Sequence, residues 1–235
     1  TDGAINLNAG DLIATGTGAI SLTADNDGSG AGDLTIVSAG ADLDEKIRTG
    51  SGSITLEAKD VIVDDFGLSS TGTVSITASN EIYSSEVANT SPDIEAGTLD
   101  LESGSSGVGQ SGGGTLEFAA TTKTDVESAG AVMLTSTTNL PLGKLEIVGS
   151  AANVSVSATG NITDYDGTAS DDIVNASNLT LSATTGIGST GKTGAVEFDA
   201  TTLVSITNAT SGGVFLNAKG TGGLSVTSIL ANPVG

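Results

Sequence analysis

The sequence predicts an all-β solenoid, an elongated stack of short strands with almost no helix. Three observations carry this. An apolar residue, one spacer and a second apolar residue recur fifteen times along 235 residues. In the clearest copies, Ile5-Leu7-Ala9, Ile54-Leu56-Ala58, Val74-Ile76-Ala78, Val154-Val156-Ala158 and Leu179-Leu181-Ala183, an isoleucine follows the alanine by four residues, at Ile13, Ile62, Ile82, Ile162 and Ile187. The composition agrees: 34 Gly, 3% aromatic residues and no Trp, Cys or His starve a conventional core of bulk, whereas stacked rungs need only small and branched aliphatics.

Taken in order, the first eight strands are marked by Ile5/Leu7, Ile20/Leu22, Leu34/Ile36, Ile54/Leu56, Val74/Ile76, Leu99/Leu101, Leu116/Phe118 and Val132/Leu134. The next seven are marked by Leu145/Ile147, Val154/Val156, Leu179/Leu181, Val196/Phe198, Val204/Ile206, Val214/Leu216 and Leu224/Val226. Successive side chains of a strand face opposite sides, so the mostly polar residue inside each pair points outward; Met133 and Phe215 are the apolar exceptions. Glycines such as Gly18, Gly52, Gly72, Gly130 and Gly194 open strands, where a sharp turn calls for positive φ. No window carries 3.6-residue apolar periodicity with caps. Long inserts at 25–33, 37–50, 83–97, 102–113 and 164–177 read as loops, the first places to look for function. At about 20 residues per coil and roughly 4.8 Å per rung, the chain would form about eleven coils and a rod of roughly 50 Å. An all-β sandwich is the rival architecture, but its strands usually carry aromatics that are scarce here.

Seven basic against 28 acidic residues give a net charge of −21, which repels nucleic acid and anionic lipid. Without cysteine there is no disulfide or thiolate metal site, and without histidine the usual zinc ligand and general base are missing. No apolar stretch is long enough to insert in a bilayer. The repeat is running at Gly3 and persists to Leu224-Val226, so residues 1–235 read as a single solenoid segment of a longer chain, with further repeats or partner subunits expected at both ends.

The phrase Gly52-Ser53-Ile54-Thr55-Leu56-Glu57-Ala58, repeated as Gly72-Thr73-Val74-Ser75-Ile76-Thr77-Ala78, resembles the repeats of filamentous-haemagglutinin-like proteins, very large bacterial surface or secreted proteins. The likeness covers nearly the whole chain but is one of repeat style. It implies a right-handed parallel β-helix in an extracellular adhesin, matrix or filament protein. The family's amino-terminal secretion domain and carboxy-terminal membrane barrel have no counterpart in these residues.

The most site-like stretch runs from Asp25 to Asp33, where Asp25, Asn26, Asp27 and Asp33 on a glycine-rich loop offer the oxygens that Ca²⁺ requires. No glutamate closes the loop and the flanks are strand-like, so an acidic solvated turn is the simpler account, with Ca²⁺ the only cofactor suggested. Acidic pairs at Asp42/Asp44/Glu45, Asp64/Asp65, Asp164/Asp166 and Asp171/Asp172 invite comparison with glycosidases and β-helical lyases. A lyase would also need clustered cations, and only Lys46 and Arg48 lie close together, where loop ion pairs explain them. Threonine pairs at 121/122, 137/138, 184/185 and 201/202 are accounted for by strand propensity rather than by a binding ladder. Asn-x-Ser/Thr triplets begin at Asn89, Asn153, Asn161, Asn175, Asn178 and Asn208.

These readings converge on a structural or adhesive segment of a bacterial extracellular repeat protein, not an enzyme: a rod, stalk or end-to-end filament at the cell surface. Its partners would be neighbouring repeats, further copies of itself, or a surface glycan or protein receptor. A carbohydrate-binding or carbohydrate-cleaving module is the alternative.

Overall fold

A computed structural model describes residues 3–7, 11–25, 31–37, 46–86, 91–109, 115–191, 193–220 and 224–231. Among them nineteen strands run from Ile5–Leu7 to Ile229–Ala231, all paired in parallel, with no helix. The chain is a parallel β-solenoid.

One column of side chains can be followed through the whole stack by register: Ile5, Leu34, Val61, Ile82, Val108, Val132, Val154, Leu179, Leu203, Val226. Its nine steps each span 21 to 29 residues rather than about 20, so the chain closes fewer turns than the eleven the pattern predicts. Thirteen of the fifteen apolar pairs lie wholly inside strands, and the last two place Leu216 and Val226 in strands. The side chains do what the alternation requires. In Ile54–Val63, Ile54, Leu56, Ala58, Val61 and Val63 are buried while Thr55 and Glu57 are exposed, and the register slips between Ala58 and Asp60, where the strand turns a corner. Each such aliphatic side chain sealed from water contributes about 1.5–3 kcal/mol.

The corners explain what the pattern hides. Short strands at Ile47–Thr49 and Ile162–Asp164, and the starts of Ile94–Ser103 and Ile173–Ala183, fall in stretches that read as loops or carry one apolar residue each, and Leu12–Ala14 carries consecutive apolar residues without a spacer. A bulge resets the two-residue alternation, so a single strand such as Leu68–Tyr83 presents three short apolar phrases and not one. The trailing isoleucines are likewise not equivalent. Ile82, Ile162 and Ile187 are fully buried, Ile62 points outward between buried Val61 and Val63, and Ile13 is 49% exposed.

The strand-opening glycines serve a different purpose from the one their sequence context suggests. Gly18, Gly52, Gly72, Gly130 and Gly194 do not have positive φ. Instead, a Cβ on Gly52 would stand 1.8 Å from Gly18 O, and one on Gly72 2.5 Å from Ser51 O. Successive coils press backbone on backbone at this corner, and glycine is the residue that permits the approach.

Candidate functional site

Two acidic nests at equivalent places in the stack are the most unusual chemistry in the molecule. Each begins with an aspartate just before an inward-facing isoleucine, Asp93-Ile94 and Asp172-Ile173, which the register sets against Glu117-Phe118 and Glu197-Phe198 on the next coil. In both, the glutamate amide N–H donates to the aspartate Oδ2 at 2.8 Å. All four acidic residues are at most 2% exposed, as are Phe118 and Phe198 beside them. The backbone fixes these carboxylates in place, because the amide that would otherwise lack a partner outside the strand ladder is spent on each aspartate.

The first nest also gathers Asp64, Asp65 and Glu86. Burial pushes the Asp93 carboxyl up to about 9, the Glu117 amide opposes the shift, and the charges of Glu117, Asp65 and Asp64 add to it. Burial, then hydrogen bonding and charge from Asp65, raises Glu86 to about 7. Hydroxyl donors relieve the crowding: Ser84 Oγ donates to Asp93 Oδ1 at 3.3 Å, and Ser85 donates its N–H and Oγ to Asp64 at 2.8–2.9 Å.

The second nest is built around the turn Asp164 to Asp172. Asp164 Oδ1 accepts the N–H groups of Asp166 and Gly167, both at 3.0 Å, and Gly167 has φ +60. Asp166 accepts from the Thr168 N–H and hydroxyl at 2.7 Å and from Ser170 Oγ at 3.0 Å. Burial is the main cause raising the Asp164 carboxyl, while the Thr168 hydroxyl leads in lowering that of Asp166. Burial also pushes Asp172 up to about 8. One carboxylate oxygen from each of Asp164, Asp166 and Asp172 lies within 4.8 Å of the others, and among the described residues this is the carboxylate group close enough to hold a metal ion.

Beside this turn, Lys123, Asp125, Lys144, Tyr165, Asp166 and Ser170 line an open groove of about 490 Å³. Tyr165 is 47% exposed, and the Lys123 ammonium sits 5.6 Å from its ring centroid while pairing with Asp125 at 2.5 Å.

The site expected at Asp25, Asn26, Asp27 and Asp33 is only partly within the described residues, since Asn26 and Asp27 fall outside them. Asp25 is buried, and Asp33 pairs with Lys59 Nζ at 3.6 Å. Lys46 lies just ahead of the strand that holds Arg48, and it forms an ion pair with a partner from another coil. The Lys46 side chain is 1% exposed and among the largest fully buried, with Nζ 3.5 Å from Asp11 Oδ1, while Asp42, Asp44 and Glu45 lie outside the described residues. Asn208 is fully buried with Nδ2 on Gly212 O, so its glycosylation triplet is closed.

Sequence reasoning noticed Asp164/Asp166 and Asp171/Asp172 only as pairs, and missed Asp93, Glu117 and Glu197. The signal was present as an internal repeat about eighty residues long. Ser91-Pro92-Asp93-Ile94 returns as Ser170-Asp171-Asp172-Ile173, and Leu116-Glu117-Phe118-Ala119-Ala120-Thr121-Thr122 as Val196-Glu197-Phe198-Asp199-Ala200-Thr201-Thr202. Comparison with family models, curated proteins and solved structures returned no match.

Proposed function

We propose that the chain is a structural segment of an extracellular bacterial repeat protein, a right-handed β-helical rod that extends by stacking rung on rung, on further repeats or on another copy of itself. The supporting observation is the contrast between inner and outer rungs of one column. Leu203 and Ile206 are at most 2% exposed, but their register partners Val226 and Ile229 are 50% and 55% exposed, and Leu230 beside them is 61% exposed. At the other end of the described stack, Leu12 is 38% exposed while its register partner Ile47 is 0% exposed. A β-solenoid rung exposed in this way offers unpaired backbone groups together with an apolar column, which is the surface on which another rung docks. The surface-protein setting draws on the repeat style shared with filamentous-haemagglutinin-like proteins and on the acidic balance; the reading assigns the chain no catalytic step.

Sedimentation velocity across a hundredfold concentration range, with negative-stain microscopy, tests the reading. Concentration-dependent rods longer than one chain, lost in Val226→Asp/Ile229→Asp, support it. A monodisperse short monomer at every concentration overturns self-stacking.

The second reading, a glycan-binding module, is favoured by the groove at Tyr165, where a half-exposed ring stands among charged and hydroxyl groups. Binding on a glycan array that disappears in Tyr165→Ala would support it.

A further inference from the structure

We propose that the outward side of strands Val132–Ser136 and Ala152–Ala158, continued by the later parts of Ile173–Ala183 and Val196–Asn208, docks a neutral polysaccharide chain. The surface shares no residue with the Tyr165 groove, and the inference does not depend on how the rod's ends are used. Register carries it. Between the buried members of the apolar pairs, Met133, Ser155, Thr180 and Ser205 stand over one another on four successive coils. Two residues along, Thr135, Ser157, Ser182 and Thr207 form a second column. The adjacent threonine pairs point to opposite sides, but these spaced hydroxyls share one side, about 4.8 Å apart from coil to coil and about 6.6 Å apart along each strand.

This side carries no charge, in a chain of net charge −21. From Ala129 to Ala218 every charged residue falls within 144–146, 164–172 or 192–199, and none on the segments 131–138, 153–160, 178–185 and 203–210 that build the surface. The acids keep to another side, where Glu57, Thr77, Glu102, Glu127 and Glu146 follow one register column. A cationic partner is drawn there instead, and an anionic one meets no counter-charge on either side. What the neutral side offers is hydrogen bonding in both senses, since each hydroxyl donates and accepts as a sugar hydroxyl does. Thr135 and Ser157 bond each other at 2.8 Å, but among the described residues the hydroxyls of Ser155, Thr180, Ser182, Ser205 and Thr207 have no partner. Along one edge runs a groove of about 510 Å³ bordered by Met133, Asn153, Ser155, Asn178 and Thr180. Its amides are held in place, because Asn153 Oδ1 accepts from Ser177 Oγ at 3.0 Å and from Asn178 Nδ2 at 2.7 Å, which leaves the Asn153 N–H groups and Asn178 Oδ1 for a ligand. Met133, 38% exposed, supplies an apolar patch for the C–H face of a sugar ring. The flat part covers roughly 14 Å by 20 Å, about 300 Å², against the roughly 800 Å² per partner of a stable protein interface. A second copy is therefore poorly held here, whereas a polysaccharide lying along the rod gains contacts coil by coil on a rigid, pre-arranged track.

The test is co-sedimentation with insoluble cellulose, chitin and β-1,3-glucan, with immobilised alginate as the acidic counter-probe, at low and at high salt. It compares wild type, Thr180→Asp/Ser182→Asp, Thr180→Val/Ser182→Val, Thr55→Asp on the acidic side, and Tyr165→Ala, each shown by circular dichroism to be folded. Valine suits a strand, so the second of these removes the hydroxyls without threatening the fold. The proposal expects wild type to be retained on at least one neutral polysaccharide, equally at both salt concentrations, and not on alginate. It expects affinity at least about tenfold weaker in both Thr180/Ser182 variants and unchanged in Thr55→Asp and Tyr165→Ala. Failure of wild type to bind any neutral probe overturns it, as does a preference for alginate. So does wild-type binding by Thr180→Val/Ser182→Val, or loss confined to Tyr165→Ala, which would assign the sugar to the other groove. A side-by-side dimer in sedimentation velocity that Thr180→Asp/Ser182→Asp abolishes would give the surface to a second copy and overturn it too.

Discussion

The amide of Glu117 donates to Asp93 Oδ2 at 2.8 Å across adjacent coils, holding a carboxyl that is 1% exposed against three acidic groups, Glu117, Asp64 and Asp65. The same bond joins Glu197 to Asp172. A strand ladder satisfies its own amides, so a side chain that takes one at a coil edge fixes where the preceding loop must land, and here that loop carries the acids.

Stability should fall as pH rises. Asp93 binds its proton up to about pH 9 in the folded chain and to about 3.9 when unfolded, so between those values the folded state holds the extra proton. The contribution is fully present below about pH 4 and is lost as pH climbs toward 9; Glu86 adds the same sign up to about 7. The groups facing Asp93 are Glu117, Asp64, Asp65 and the Ser84 hydroxyl, none of which supplies positive charge. Melting at pH 5 and pH 8, at fixed ionic strength and with chelator present, should show a drop of several degrees. The drop should shrink in Asp93→Asn, which carries the neutral form permanently.

Glycine substitutions should separate crowding from dihedral strain. Gly52→Ala puts a methyl 1.8 Å from Gly18 O and must push two coils apart, at a cost of about 3 kcal/mol or more. Gly149→Ala faces open space at φ +86 and should cost about 1–2 kcal/mol from left-handed strain alone. Urea denaturation of both variants checks the order.

The two buried phenylalanines should matter more than their number suggests. Phe198→Ala opens a cavity in a stack of otherwise small rungs and is expected to cost about 3–5 kcal/mol, whereas Met133→Ala, at a 38% exposed outward position, should stay within about 0.5 kcal/mol. Because neighbouring rungs hold each other, the Phe198 loss should appear first as local hydrogen-exchange opening in 172–208.

Charge placed on the exposed rung should cost little in the monomer and much in assembly. Ile229→Asp, at a position 55% exposed, is expected to shift the melting point by about 1 °C or less at low concentration while abolishing concentration-dependent growth of rods. Paired melting and sedimentation runs read both effects.

The sequence by itself determined the class of fold. Apolar pairs with a polar spacer can be buried only on one face of a strand, and repeats too poor in bulk to make a core alone must stack, so Ile54/Leu56, Val74/Ile76 and Val154/Val156 announced the ladder they form. Only the tertiary structure decided the coil length, the corners and the acidic nests. Corner strands such as Ile47–Thr49 carry too few alternating residues to register as strands, and bulges break the alternation where the chain turns. The role of Gly52 lies in a contact with Gly18, thirty-four residues away, which no local window contains. Asp172 and Glu197 are likewise twenty-five residues apart, and their meeting depends on the length of one coil, a quantity fixed by loops whose composition does not encode it.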